Sequence, residues 1–173
     1  MKKWTIDPAH SEIGFSVKHM MISKVKGSFE SFDAVVEANE EDLSGALIDF
    51  KIDVASINTN NEDRDNHLRS ADFFDVENYP EIKFSANDIT KKGSEYELTG
   101  DLTIKGVTRP VTFEVEYGGK GTNPWGQEVV AFSAEGKVNR RDFGLTWNQA
   151  LETGGVLVGE DIKISLELEA NPA

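Results

Sequence analysis

The chain has 173 residues, with 18 basic and 31 acidic side chains, a net charge of −13, 38% hydrophobic residues, ten Phe and no Cys. That balance argues against a nucleic-acid binder, which needs a basic face, and against docking onto an anionic bilayer. It also excludes disulfides and thiolate chemistry, and it is too apolar for a disordered chain.

One all-β domain over residues 1–173 is expected at this length. The opening MKKWTIDPAHSEIGF has no apolar core or small-residue cleavage site of a secretory leader. A cytoplasmic chain is therefore expected, or a periplasmic or secreted one whose leader has been removed. No stretch approaches the roughly 18 apolar residues of a spanning helix, so no stable membrane insertion is expected.

Strand signals recur in chain order. Ile13, Phe15 and Val17 alternate with polar residues, then Phe32, Ala34, Val36 and Ala38 do so before the acidic turn at 39–42. Ala46, Ile48, Phe50, Ile52 and Val54 make a third run, and Ile82, Phe84 and Ala86 a fourth after Pro80. Tyr96, Leu98, Leu102 and Ile104 follow, with Gly100 between them allowing a bend or close packing. The turn Lys105-Gly106 leads to Val111, Phe113, Val115 and Tyr117, and the loop GGKGTNPWG to Val130, Phe132, Ala134 and Val138. Last come Ile162, Ile164, Leu166 and Leu168, facing away from Lys163, Ser165, Glu167 and Glu169. The pattern predicts about eight antiparallel strands. Such strands bury their apolar face either by closing into a barrel, filled or holding one small ligand, or by packing as a sandwich.

Residues 56–84 break the alternation. Asn60 or Asn61 is placed to cap a short helix, with Glu62 and Asp63 in its first turn. Asp63–His67, Arg64–Leu68 and Asp65–Arg69 stand four apart and share faces. Ser70 is placed to cap a second short turn carrying Phe73 and Phe74. The segment reads either as a lid whose basic residues meet a ligand's polar end, or as a surface helix with self-paired charges and a Phe plug.

No metal site is expected, because His10, His19 and His67 show no ligand spacing. No P-loop, GxGxxG or GxSxG is present, so neither a cofactor nor catalysis is indicated. Arg140 and Arg141, ahead of Phe143, Leu145 and Trp147, are a second local cationic site. Together with the Arg-rich site at 64–69 they suit an anionic headgroup held by guanidinium forks, or pairing with neighbouring Asp142 and Asp65.

WTIDPAHSEIGFSVKH, VKGSFESFDA, SINTNNEDRDNHLRSADFFDVENYPEIKF, GDLTIKGVTRPV, RRDFGLTW and VGEDIKISLELE resemble the YceI-like family, in order and over essentially the whole chain. The resemblance implies an eight-stranded antiparallel, lipocalin-like barrel with an apolar tunnel and a short helical segment around 60–75. It implies a homodimer and a ligand that is a long-chain isoprenoid, a quinone or a similar amphiphile, carried or sequestered without catalysis. Many members act in the periplasm, where this chain's opening departs from them. The tunnel wall is expected to include Phe15, Val17, Phe32, Ile48, Phe50, Phe84, Leu102, Ile104, Phe113 and Phe132, with Phe73, Phe74, Phe143 and Trp147 at the mouth or under the lid. His19, Arg64, His67 and Arg140 are the expected headgroup contacts. Two rival readings are an enzyme using His67 and Asp65 as acid and base on a small hydrophobic substrate, and a filled-core interaction module.

Overall fold

Antiparallel strands dominate, and although the described residues form eleven of them, they trace eight long paths. The computed structural model describes residues 2–39, 42–148 and 157–173. Glu40 and Glu41 of the expected acidic turn, and the first half of the Gly-rich TGGVLVGE run, lie outside the described residues.

The first three paths are broken strands. β1 (Lys2–Ile6) and β2 (Glu12–His19) are separated by a 3₁₀ turn at Pro8–His10, where the Asp7 side chain accepts from the Ala9 N–H. β3 (Ser23–Phe29) and β4 (Phe32–Ala38) are interrupted at Glu30–Ser31. β5 (Leu47–Asp53) and β6 (Ile57–Asn58) flank a second 3₁₀ turn, capped by Asp53. After the helix α1 (Glu62–Arg69) come four unbroken meander strands and the last one: β7 (Glu81–Lys92), β8 (Glu95–Ile104), β9 (Val107–Thr122), β10 (Glu128–Asn139) and β11 (Val158–Pro172).

β11 closes the barrel. One edge pairs with β10, and the other pairs first with β2 (Ile162 opposite Val17) and then with β1 (Ala170 opposite Ile6). Closure removes the exposed edges a sandwich would keep, so the barrel alternative holds. The expected strands all form. β1, β3 and β6 extend three of them beyond the apolar runs, and the expected loop GGKGTNPWG is shorter, because β9 continues to Thr122 against Glu128.

Inward parity follows the apolar alternation. Ile13, Ala34, Val36, Ile52, Phe84, Leu98, Phe113, Val130, Val138 and Leu168 are buried, while the intervening residues face solvent. At one end the chain between β4 and β5 folds in, with Leu43 and Ala46 buried. At the other end β6 pairs only with β3, and β7 does not reach it. α1 and residues 70–80 occupy that gap.

The helix starts as expected, with the Asn61 side chain accepting from the Arg64 N–H. Ser70 departs from expectation. It ends α1, and its hydroxyl donates back to the His67 carbonyl (2.5 Å) instead of capping the next turn. The turn at 71–74 forms through the Ser70 carbonyl, which accepts from the Phe73 N–H at 3.0 Å.

Candidate functional site: an apolar tunnel with a clamped cover

The barrel encloses a cavity of about 200 Å³. A single water needs only about 10–15 Å³ of such space, so the interior is not filled. The same conclusion follows from parity. Phe15 and Val17, Ile48 and Phe50, Phe132, and Ile162, Ile164 and Leu166 point inward in step with buried Ile13, Ile52, Ala134 and Leu168, yet each is only half-buried. Their remaining exposure is to the cavity.

Phe15, Val17, Ile48, Phe50, Phe73, Phe74, Phe84, Leu102, Ile104, Phe113, Phe132 and Phe143 lie on the cavity wall. Phe32 does not. It packs on the core beside the cavity, opposite Ile52. Trp147 is also off the wall and packs behind Phe73 at 5.3 Å. On β11 the wall runs from Val158 to Leu168, about 33 Å of strand, which at barrel tilts of about 35–45° is roughly 25 Å of axis. A cavity so long for its volume is a slender tunnel.

Two glycines set the positions of wall aromatics. A Cβ on Gly27 would meet Phe15 Cε1 at 2.9 Å, and one on Gly136 would meet Phe113 Cδ1 at 2.5 Å. Each ring occupies the space over the neighbouring strand that a side chain there would fill. Phe113 then meets Phe84 edge-on, with centroids 5.3 Å apart.

The cover is clamped by its polar residues. Leu68, Phe73 and Phe74 turn to the cavity. Arg64 donates from Nε to Thr59 Oγ1 (2.8 Å) and from Nη2 to the Thr59 carbonyl (2.9 Å). Arg69 donates to the carbonyls of Ala55 (2.9 Å) and Ile57 (3.1 Å). These two forks therefore cover the edge of β6 that no strand pairs. His67 stacks edge-on against Phe73 and Trp147, at 5.0 and 4.7 Å, and its Nε2 meets Asp72 at 2.9 Å. It fastens α1 to the segment after β10.

That segment is held by Arg140, which sits at the end of β10 and opens a 3₁₀ turn at Arg140–Phe143. Arg140 is 3% exposed and is the one ionisable side chain on the wall among the described residues. It donates to the carbonyls of Leu145 (2.6 Å), Gly159 (2.7 Å), Trp147 (2.9 Å) and Val158 (3.3 Å). Burial lowers its pKa from the ordinary arginine value, and nearby Glu160 opposes that shift. The pairing with Asp142 does not form among the described contacts: Arg141 pairs with Glu160 at 3.1 Å instead.

His19 ends β2 with inward parity, half-buried, but off the wall. Of the suggested acid–base pair, Asp65 accepts from Thr59 and His67 meets Asp72, and neither lies on the wall. A cluster that sequence spacing concealed is Asp7, His10 and Glu169, whose ligand atoms lie within 4.8 Å of one another. His10 is exposed and the two carboxylates are half-buried, and the His10–Asp7 contact (2.8 Å) raises the His10 pKa and lowers that of Asp7. Leu43 was also missed as a wall residue. A lone Leu after an acidic turn was the available signal.

A family model described as YceI-like domain matches residues 4–170. A UPF0312 protein of Staphylococcus aureus is 46% identical over 170 residues, covering 98% of this chain and 97% of its own. The crystal structure of Burkholderia cenocepacia BcnA superposes with a TM-score of 0.83 at 25% identity, covering 95% of this chain and 98% of that one. A polyisoprenoid binding domain from Saccharophagus degradans shares the fold over 100% of both chains, with a TM-score of 0.72 at 12% identity.

Proposed function

This chain belongs to the YceI-like domain family, and we propose that its barrel binds one long-chain isoprenoid or a similar slender amphiphile, for carriage or sequestration without chemical change. The observation that carries the reading is the row of inward-facing but half-buried residues around an unfilled tunnel whose wall is apolar apart from Arg140. A filled-core module would have buried them. Each enclosed isoprene unit contributes on the order of a few kcal/mol before the cost of ordering the chain.

Shape narrows the ligand class. A cavity of about 200 Å³ is small beside the ~300–1,000 Å³ of ordinary ligand pockets. A bulky ring system does not fit it, whereas an extended chain lies along the axis as the half-buried rings shift. The S. degradans domain is described as polyisoprenoid binding, which agrees with that shape. Quinones enter the proposal through their tails. Arg64 and Arg140 serve it as clamps on backbone carbonyls and not as headgroup contacts. A homodimer and a cytoplasmic setting complete the proposal, to be tested by analytical ultracentrifugation and cell fractionation.

The test is uptake by solvent-extracted protein of a polyprenyl alcohol against a rigid sterol. Selective uptake of the polyprenyl alcohol, reduced in the cavity-filling variant Ala134→Leu, is expected. Equal uptake of the sterol, or an Ala134→Leu variant that binds as wild type does, would overturn the reading.

A further inference from the structure

The hairpin between β2 and β3 projects at the covered end of the barrel. Its tip is Met20, Met21 and Ile22, exposed by 45, 54 and 87%. Such a run of exposed apolar side chains is unusual unless something covers it. The backbone is also held in an uncommon form. Met20 and Met21 both have positive φ (54° and 67°), in a turn closed by the Ile22 N–H to the His19 carbonyl at 3.3 Å. Asn and Gly normally occupy those positions. The tip is braced, because the Met20 N–H donates to the Leu157 carbonyl at 2.8 Å.

Three lysines cluster on the hairpin below the tip. Lys18 and Lys24 stand directly opposite each other on the outer face, and Lys26 follows opposite Ser16. Like charges placed this way destabilise a hairpin. None of the three forms an ion pair among the described residues; of the five carboxylates on the outer groove that Lys18 and Lys24 also line, Glu160, Asp161 and Glu97 are taken by Arg141 (3.1 Å), Lys137 (3.3 Å) and Lys92 (2.7 Å), while Glu114 and Glu135 lie on the same groove. The overall charge of −13 is spread over the whole barrel, and its more distant part is screened at physiological salt, where the Debye length is about 8–10 Å. One step in from the tip, Val17 and Val158 are already on the tunnel wall.

We propose that this hairpin docks the protein on an anionic phospholipid bilayer, with Met20, Met21 and Ile22 entering the interface and Lys18, Lys24 and Lys26 meeting lipid phosphates. Net charge argues against such docking for the molecule as a whole, and the proposal confines it to one end of the barrel. Apolar insertion combined with a lysine cluster is the arrangement that binds peripherally without spanning. The inference goes beyond the tunnel reading and stands without it, since vesicle binding is read whether or not the barrel holds lipid.

The experiment is co-sedimentation of the full chain with vesicles of phosphatidylcholine alone, or with about one-third phosphatidylglycerol. Wild type should sediment with the anionic vesicles and be released by salt. The triple variant Met20→Ser/Met21→Ser/Ile22→Ser and the variant Lys18→Gln/Lys24→Gln/Lys26→Gln should each lose binding about tenfold or more, with barrel-bound lipid unchanged and no loss of thermal stability. Wild type that ignores anionic vesicles, or variants that bind as well as wild type, would overturn the proposal. So would a tip variant whose only effect is a changed oligomeric state, which would make the tip a contact between copies.

Discussion

The Asp65 carboxylate takes both protons that Thr59 offers, the N–H at 2.9 Å and the hydroxyl at 2.5 Å. Both residues are buried, and Arg64 holds Thr59 from the other side. One threonine at the end of β6 is thus the point where the barrel ends and the cover begins. The residues that looked most like chemistry in the sequence hold the cover down.

Asp65→Ala leaves two buried donors without an acceptor. The expected loss is about 2–4 kcal/mol in urea unfolding, and Asp65→Asn, which keeps an acceptor but no charge, should lose about half as much. Equal losses for the two variants would show that the hydrogen bonds are not the source.

Arg140→Met should destabilise the fold by about 3 kcal/mol or more, because four carbonyls lose a charged donor in a buried place. Arg140→Lys should not restore stability, since an ammonium cannot span the fork. If Arg140 were instead a headgroup contact, stability would hold and lipid uptake would fall, which chemical denaturation and uptake measured side by side would show.

Gly136→Val should push Phe113 off its seat and into the tunnel. A stability loss of about 1–3 kcal/mol is expected from overpacking, together with a shift of bound ligand toward shorter chains in extracted lipid. Unchanged chain length would mean that the Phe113 ring does not bound the ligand.

The Asp7–His10 contact gives a pH signature. The raised His10 pKa makes its contribution fully present below the ordinary 6.5 and lost as pH rises through the higher folded value. The lowered Asp7 pKa makes its contribution present above the ordinary 3.8 and lost as pH falls through the lower folded value. The difference in Tm between wild type and His10→Ala should therefore be greatest between those limits and vanish in alkali. A difference that persists in alkali would point to packing instead.

The barrel was legible because its strands alternate apolar and polar residues, and β5 and the central parts of β9 and β11 keep that period. β1, β3 and β6 were not, since they are short or carry Lys and Gly where an apolar residue would mark them. Most wall residues followed from parity alone. The roles of Arg64, Arg69 and Arg140 did not, because their partners are backbone carbonyls, which no residue identity announces. Trp147 was placed near the mouth, but the His67 ring that holds it off the wall is about 80 residues away in sequence, a register periodicity does not reach.

The most direct test of the central claim is native mass spectrometry of the freshly purified chain, before and after solvent extraction. A tunnel that holds an isoprenoid predicts bound masses spaced by isoprene units, lost on extraction and restored by added polyprenyl lipid. Protein that is empty as purified, and stays empty when polyprenyl lipid is supplied, would contradict it.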